Sequence, residues 1–149
     1  NSIKVFGKEY QEPRLTEYYG PPYQYSSIAW PEQEIPNWLS PLKLQLCELS
    51  QFSFNSVLLN YYRDGQDSMG WHRDNEKEMD SSVIASLSFG AERIFKIRHR
   101  DSKKTINIPL KNGDVLIMRD LQEDHEHSIP KTKKVLDPRI NLTFRRMIK

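Results

Sequence analysis

The sequence predicts a mostly β domain: a jelly roll, or double-stranded β-helix of the cupin-like kind, with one helix against its side. Three observations carry that prediction. From Phe54 onward, apolar and polar residues alternate in short runs with period two. Turn residues such as Asp64-Gly65 and Asn112-Gly113 separate the runs. At 149 residues, the chain suits one domain around a single core.

The elements follow in order. Residues 9–41 are rich in Pro, Tyr and Glu and keep no period, so they read as extended loops and short strands laid over a surface. Ser40-Pro41 gives a helix start, an N-cap followed by Pro at the first helical position. Leu42, Leu46 and Leu49 then recur at helical spacing, the apolar stripe of a helix packed on a sheet. Residues 57–62 form a strand stopped by Asp64-Gly65. Residues 83–89 put Ala85, Leu87 and Phe89 on one face and Ser86 and Ser88 on the other. Strands at 94–98, 105–110 and 115–118 follow, the last after the Asn112-Gly113 turn, and 140–147 closes the chain.

Composition bounds the function. Hydrophobic residues make up 37% and charged residues 28%, as in a soluble globular chain. No apolar run approaches the ~18 residues of a membrane span. No basic segment leads into an apolar run, so no secretory signal is visible. The chain begins at Asn1 and not Met, as a trimmed sequence would. Lone Cys47 forms no internal disulfide and points to a reducing, intracellular compartment, cytoplasmic or nuclear. The net charge of +2 hides an asymmetry. Residues 1–92 hold 7 Lys/Arg against 13 Asp/Glu, and residues 93–149 hold 15 against 7. A basic half suits phosphate neutralisation; an unevenly charged solvated surface gives the same counts.

Two patterns carry chemistry. In extended chain, His72 and Asp74 point to one side. His127 lies later, in a polar stretch expected to be irregular. Two imidazoles and one carboxylate on one face of a metal leave three positions open, the facial triad of non-haem iron(II) oxygenases. The His-x-Asp spacing alone is common, and three surface polar residues read the same way. In the last strand, Ile140, Leu142 and Phe144 face one way, and Arg139, Asn141, Thr143 and Arg145 the other. Two guanidiniums on a half-buried strand call for an anion, and a small dicarboxylate fits because Arg pairs bidentately with carboxylates. A solvated sheet face with two arginines is the alternative. Asn60 and Tyr62 share a face on another strand.

Together, Asn60-x-Tyr62, His72-x-Asp74, His127 and Arg139-x-Asn141-x-x-x-Arg145 resemble the AlkB family of nucleic-acid demethylases, in particular its eukaryotic-type DNA-repair members. Ser86-Leu87-Ser88-Phe89-Gly90-Ala91 and His127-Ser128-Ile129-Pro130 match as well, and the resemblance runs from about Val5 to Arg146. It implies an iron(II)- and 2-oxoglutarate-dependent dioxygenase. His72, Asp74 and His127 would hold Fe(II). Arg139, helped by Tyr62, would take the distal carboxylate of 2-oxoglutarate, and Arg145, Asn60 and Asn141 the end nearer the metal. With O2, the reaction would hydroxylate an N-methyl group of a base such as 1-methyladenine or 3-methylcytosine and release formaldehyde. The chain departs from the family at Asn75, where an Asp is common, and at His125, where a Trp is frequent. The extra histidine puts the second imidazole ligand in question, and His127-Ser128-Ile129-Pro130 decides for His127.

Substrate contacts follow from the same resemblance. A base inside a duplex must leave the stack to reach a metal. Tyr23 and Tyr25 match positions lining the base pocket, and loop packing is their alternative. Glu76 matches an acidic position that meets an exocyclic amine. Phe6, in Val5-Phe6-Gly7-Lys8, matches a wedge that fills the gap left by a flipped base, or else anchors an N-terminal strand. Lys131, Lys133 and Lys134 would touch the backbone, with Arg98, Lys103 and Lys104 extending that basic face. Within one domain over 1–149, residues 1–40 would recognise substrate and 54–149 would form the catalytic core. The expected partner is nucleic acid, DNA or RNA, for a monomer away from membranes. An RNA demethylase, another dioxygenase on the same core, or a binder that has lost its metal are the competing readings.

Overall fold

The computed structural model describes residues 2–5, 8–11, 13–25 and 28–148. Two antiparallel sheets make the body. The larger runs in the order β11 (Val115–Arg119), β8 (Met79–Gly90), β13 (Arg139–Met147), β6 (Ser56–Tyr62), β3 (Leu15–Tyr19). The smaller runs β10 (Thr105–Leu110), β9 (Arg93–His99), β12 (His125–Ile129), β7 (Met69–His72). Two hairpins accompany them: β1 (Ser2–Val5) with β2 (Lys8–Gln11), and β4 (Tyr23–Tyr25) with β5 (Ile28–Trp30). The sheets face each other across Tyr62, Ile84 and Met147 from one and Phe95, Ile97, Leu110 and Ile129 from the other. The jelly-roll expectation holds.

Among the described residues a single helix, α1 (Ser40–Ser50), covers the outer face of the larger sheet. Leu39, Leu46, Phe54, Val57, Ala85, Leu87, Leu142 and Phe144 form the core beneath it. Most of β13 is therefore enclosed on both faces: Leu142 and Phe144 pack toward the helix, and Arg139, Asn141, Thr143 and Arg145 are buried on the other side, while Ile140 is exposed. The expected half-buried strand is more deeply enclosed than its alternation implied.

Four local expectations are corrected. Leu39, not Ser40, is the N-cap, and it makes no side-chain cap. The preceding turn does that work, because Leu39 and Ser40 donate their N–H groups to the Pro36 carbonyl. The buried side of α1 runs through Leu46 and Ser50, which leaves Leu49 61% exposed. Ser50 belongs to that side because its hydroxyl donates to the Leu46 carbonyl at 2.6 Å. His127 lies in a regular strand, β12, and not in an irregular stretch. Phe89, expected with Ala85 and Leu87, is 37% exposed near the end of β8. There Gly90 turns the chain at φ +88, and a Cβ would stand 2.5 Å from the Pro138 carbonyl oxygen.

Candidate active site

Strand register brings the first two histidines together. β12 pairs with β7 so that His127 lies opposite His72, with ring centroids 4.3 Å apart. Asp74 follows two residues after His72 and is buried. His72 Nε2 lies 3.8 Å from Asp74 Oδ1, and His127 Nε2 lies 3.9 Å from Oδ2. One ligand atom from each residue falls within 4.8 Å of the others, a spacing that could hold a metal ion. His72 Nδ1 is 2.9 Å from the Gly70 carbonyl oxygen. A carbonyl only accepts, so Nδ1 carries the proton and Nε2 is bare for a ligand. Phe95 stacks on the His127 ring at 5.2 Å.

Charge at this centre is set by burial and by Arg145. Burial alone would raise the Asp74 carboxyl, but Arg145, then His72 and His127, outweigh it and hold it below the usual carboxylate range. Arg145 Nη2 donates to Asp74 Oδ1 at 3.1 Å. Burial pushes His127 down to about 4, with His72 adding to the effect and Asp74 opposing it. At neutral pH, His127 is an uncharged imidazole, the form that ligates. His125, the competing histidine, turns elsewhere: its Nδ1 lies 2.5 Å from Asp124 Oδ1, and its ring packs edge-on against His99.

β13 sits between β6 and β8, which sets Arg139 opposite Tyr62 and Asn141 between Asn60 and Ser88. Arg139 is 1% exposed. Its Nη2 donates to Ser88 Oγ at 2.9 Å, and its Cζ lies 5.2 Å from the Tyr62 ring centroid. Nε and Nη1 have no hydrogen-bond partner among the described residues. Burial pulls its pKa below the ordinary guanidinium value, with Tyr62 opposing. A buried guanidinium with two donors unspent fits an anion, and 2-oxoglutarate meets that need with a carboxylate. Asn141 bonds Ser86 Oγ at 2.5 Å and accepts from Thr143 at 2.8 Å. Asn60 accepts from Arg14 Nε at 2.8 Å.

The expected substrate residues scatter more widely. Tyr23 is buried, and its hydroxyl donates to Glu76 Oε1 at 3.2 Å. Burial raises its pKa, with Arg145 opposing and Glu76 and Asp74 adding, so the Tyr23–Glu76 pair lies within electrostatic reach of the triad. The other Glu76 oxygen is buried and has no hydrogen-bond partner among the described residues. Arg98 lies elsewhere, donating to Glu126 Oε1 and stacking over Trp71 at 3.9 Å. Lys131, Lys133 and Lys134 are exposed. Phe6 lies outside the described residues, as does the side chain of Tyr25.

Three residues near the site carried no readable signal. Arg14, from the loop before β3, reaches Asn60 and the Ser68 carbonyl. Arg93 is buried and donates to the carbonyls of Asp64, Asp67 and Pro130. It ties two loops together beside Tyr62, whose ring centroid is 5.4 Å away. Gln122 contacts both Asp74 and His127. Apart from Gln122–His127, each contact joins residues distant in the chain, and none repeats a period.

Comparison with known proteins agrees with this geometry. The family model described as the 2OG-Fe(II) oxygenase superfamily matches residues 5–145. The chain is 42% identical over 151 residues to the Mus musculus protein named alpha-ketoglutarate-dependent dioxygenase alkB homolog 3, covering 91% of this chain and 52% of that one. It is 39% identical over 160 residues to the Homo sapiens protein named DNA oxidative demethylase ALKBH2, covering 98% and 61%. The chain thus spans about half the length of the first curated relatives it matches. A solved structure titled "The structure of OsALKBH1" superposes with a TM-score of 0.61 at 23% identity, over 79% of this chain and 66% of that one, a likeness of fold.

Proposed function

We propose a function from one premise: the chain belongs to the 2OG-Fe(II) oxygenase superfamily, and its resemblance to the AlkB family holds. The function is oxidative demethylation of alkylated bases in nucleic acid, DNA foremost, as direct-reversal repair. One observation carries it: a His-Asp-His cluster with converging ligand atoms shares the interior with a buried arginine that has two unspent donors. The names of the relatives, one of them a DNA oxidative demethylase, support the choice of substrate.

His72, Asp74 and His127 would hold Fe(II) and leave its remaining positions open. Arg139, with Ser88 and Tyr62, would hold the distal carboxylate of 2-oxoglutarate, while Arg145, Asn60 and Asn141 line the end toward the metal. Bound iron, with 2-oxoglutarate and O2, supplies the oxidant that hydroxylates an N-methyl carbon. The chain's own residues aim the base. Alkylation at adenine N1 or cytosine N3 leaves the ring cationic, which favours a carboxylate neighbour. Glu76 presents its unpartnered oxygen to the exocyclic amine, and the Tyr23 hydroxyl fixes the other oxygen. The hydroxymethyl group on the ring nitrogen loses its O–H proton as the C–N bond breaks. Formaldehyde leaves, and the bonding pair stays on nitrogen. Tyr25, Phe6, Lys133, Lys134 and the Arg98 face complete the nucleic-acid contacts. Residues 1–40 recognise substrate around a core of 54–149, and the protein acts as an intracellular monomer. Among the described residues, no helix is long and apolar enough to cross a membrane.

The test is formaldehyde release from methylated oligonucleotides, as single- and double-stranded DNA and as RNA. Release that requires 2-oxoglutarate and iron, and is strongest on DNA, is expected. Asp74→Ala should abolish it. Release without 2-oxoglutarate, or from none of the substrates, removes the reading, and preference for RNA moves it to RNA.

A further inference from the structure

Gln122 lies in the connection between β11 and β12, five residues before His127, and is 2% exposed. Its Oε1 accepts the backbone N–H of Asp74 at 2.9 Å and lies 3.2 Å from His127 Nε2. The Asp74 N–H can only donate, so the atom facing it is the oxygen and not the amide nitrogen. The amide nitrogen turns the other way, 3.7 Å from Met118 Sδ. One oxygen therefore touches two members of the triad at once. A return contact runs from the other side. The Arg73 guanidinium, carried between His72 and Asp74, donates to the backbone carbonyls of Gln122 and Glu123 at 3.4 and 3.0 Å. Each segment thus holds the main chain of the other with a side chain.

The consequence is geometric. Asp74 lies beyond the last ladder pair of β7, where no strand partner fixes its backbone. His127 is fixed in main chain by β12; an amide oxygen only accepts, so the Gln122 Oε1 contact meets a protonated Nε2, and a metal held through that atom would replace it. From this geometry we infer that Gln122 is a positioning residue of the metal centre. Its Oε1 fixes the Asp74 backbone, so that the carboxylate is already turned toward the two imidazoles before metal arrives. Outer-shell partners of this kind set metal affinity more than they set folding. The inference rests on the metal-centre reading above, and the experiment separates the two.

Metal-free protein is titrated with Mn(II) by calorimetry, and its melting temperature is measured alongside. Wild type, Gln122→Leu and Gln122→Glu are compared. Leu keeps the bulk and removes the acceptor; Glu keeps an oxygen that accepts the Asp74 N–H. Gln122→Leu should weaken Mn(II) binding about 10- to 100-fold, with the metal-free melting temperature nearly unchanged. Gln122→Glu should recover most of that loss. Wild-type protein that binds no Mn(II) defeats the metal-centre reading and this inference with it. If wild type binds, an affinity within twofold in Gln122→Leu overturns the positioning role alone. So does a Gln122→Glu as weak as Gln122→Leu, or a melting temperature that falls in step with affinity, since Gln122 would then be packing.

Discussion

Arg139 concentrates the energetics of the site in one side chain. A guanidinium this deep costs several kcal/mol in lost hydration unless an anion answers it, and Ser88 and the Tyr62 ring answer it only in part. The missing share is what a bound carboxylate would supply. Arg139→Ala should therefore weaken 2-oxoglutarate binding by ~2–5 kcal/mol, the cost of truncating one partner of a buried pair. Arg139→Lys should retain part of the affinity, because a point charge cannot replace a planar fork. Calorimetry with 2-oxoglutarate and a redox-inert metal checks both, and unchanged affinity in Arg139→Ala would remove the assignment. His127 gives a pH signature. Its folded pKa of about 4 lies below the ordinary 6.5, so the unfolded chain binds more protons between those values. Stability is full above about pH 6.5 and is lost as pH falls toward about 4, by at most roughly 3 kcal/mol. Asp74, also depressed, adds loss of the same sign only at lower pH. Urea unfolding of metal-free wild type and His127→Gln across this window should show a shallower slope in the variant. Equal slopes would contradict the buried neutral imidazole.

At the scale of elements, what sequence could reveal depended on whether a periodic signal existed. The alternation of β13 announced both its faces, because Arg139, Asn141, Thr143 and Arg145 interleave with Ile140, Leu142 and Phe144. It could not announce that the polar face is also buried, since that depends on the second sheet lying across it. β12 was missed because Glu123 to Ser128 is polar throughout and offers no contrast to alternate. The helix was found but its buried side was misjudged, because Ser50 packs by bonding its own helix and no hydrophobic pattern counts a serine. Gln122 and Arg14 had no pattern at all; their meaning lies in partners 48 and 46 residues away. One loop contact makes a sharp prediction. A Cβ on Gly65 would stand 2.1 Å from the Thr132 carbonyl oxygen and 2.9 Å from that of Val135. Both are backbone atoms. Gly65 also exchanges hydrogen bonds with this segment, through its N–H to Val135 and its carbonyl to the Thr132 N–H. Gly65→Ala should cost about 1–3 kcal/mol or more as the two loops part, read by denaturant unfolding. An unchanged midpoint would mean that the loops separate freely.

At the scale of the whole molecule, the architecture explains why distant sequence pieces act together. Facing sheets put β7 and β12 on one side of the interior and β13 on the other, so metal ligands and cationic residues meet in a buried space. There, electrostatic interactions are stronger than in water. The basic excess of residues 93–149 includes part of that interior: Arg93, Arg139 and Arg145 are buried. Those charges lie within the fold and the site, whereas Lys131, Lys133 and Lys134 are exposed. The sequence count could not make that division. The central claim is that this interior couples 2-oxoglutarate oxidation to removal of a base methyl group. The most direct measurement follows succinate and formaldehyde together, on an oligonucleotide carrying one 3-methylcytosine and on its unmethylated twin. The account predicts succinate and formaldehyde in equal amounts on the methylated strand, restored cytosine, and little of either product on the twin. Succinate formed equally on both strands, with the methylated base intact, would contradict it.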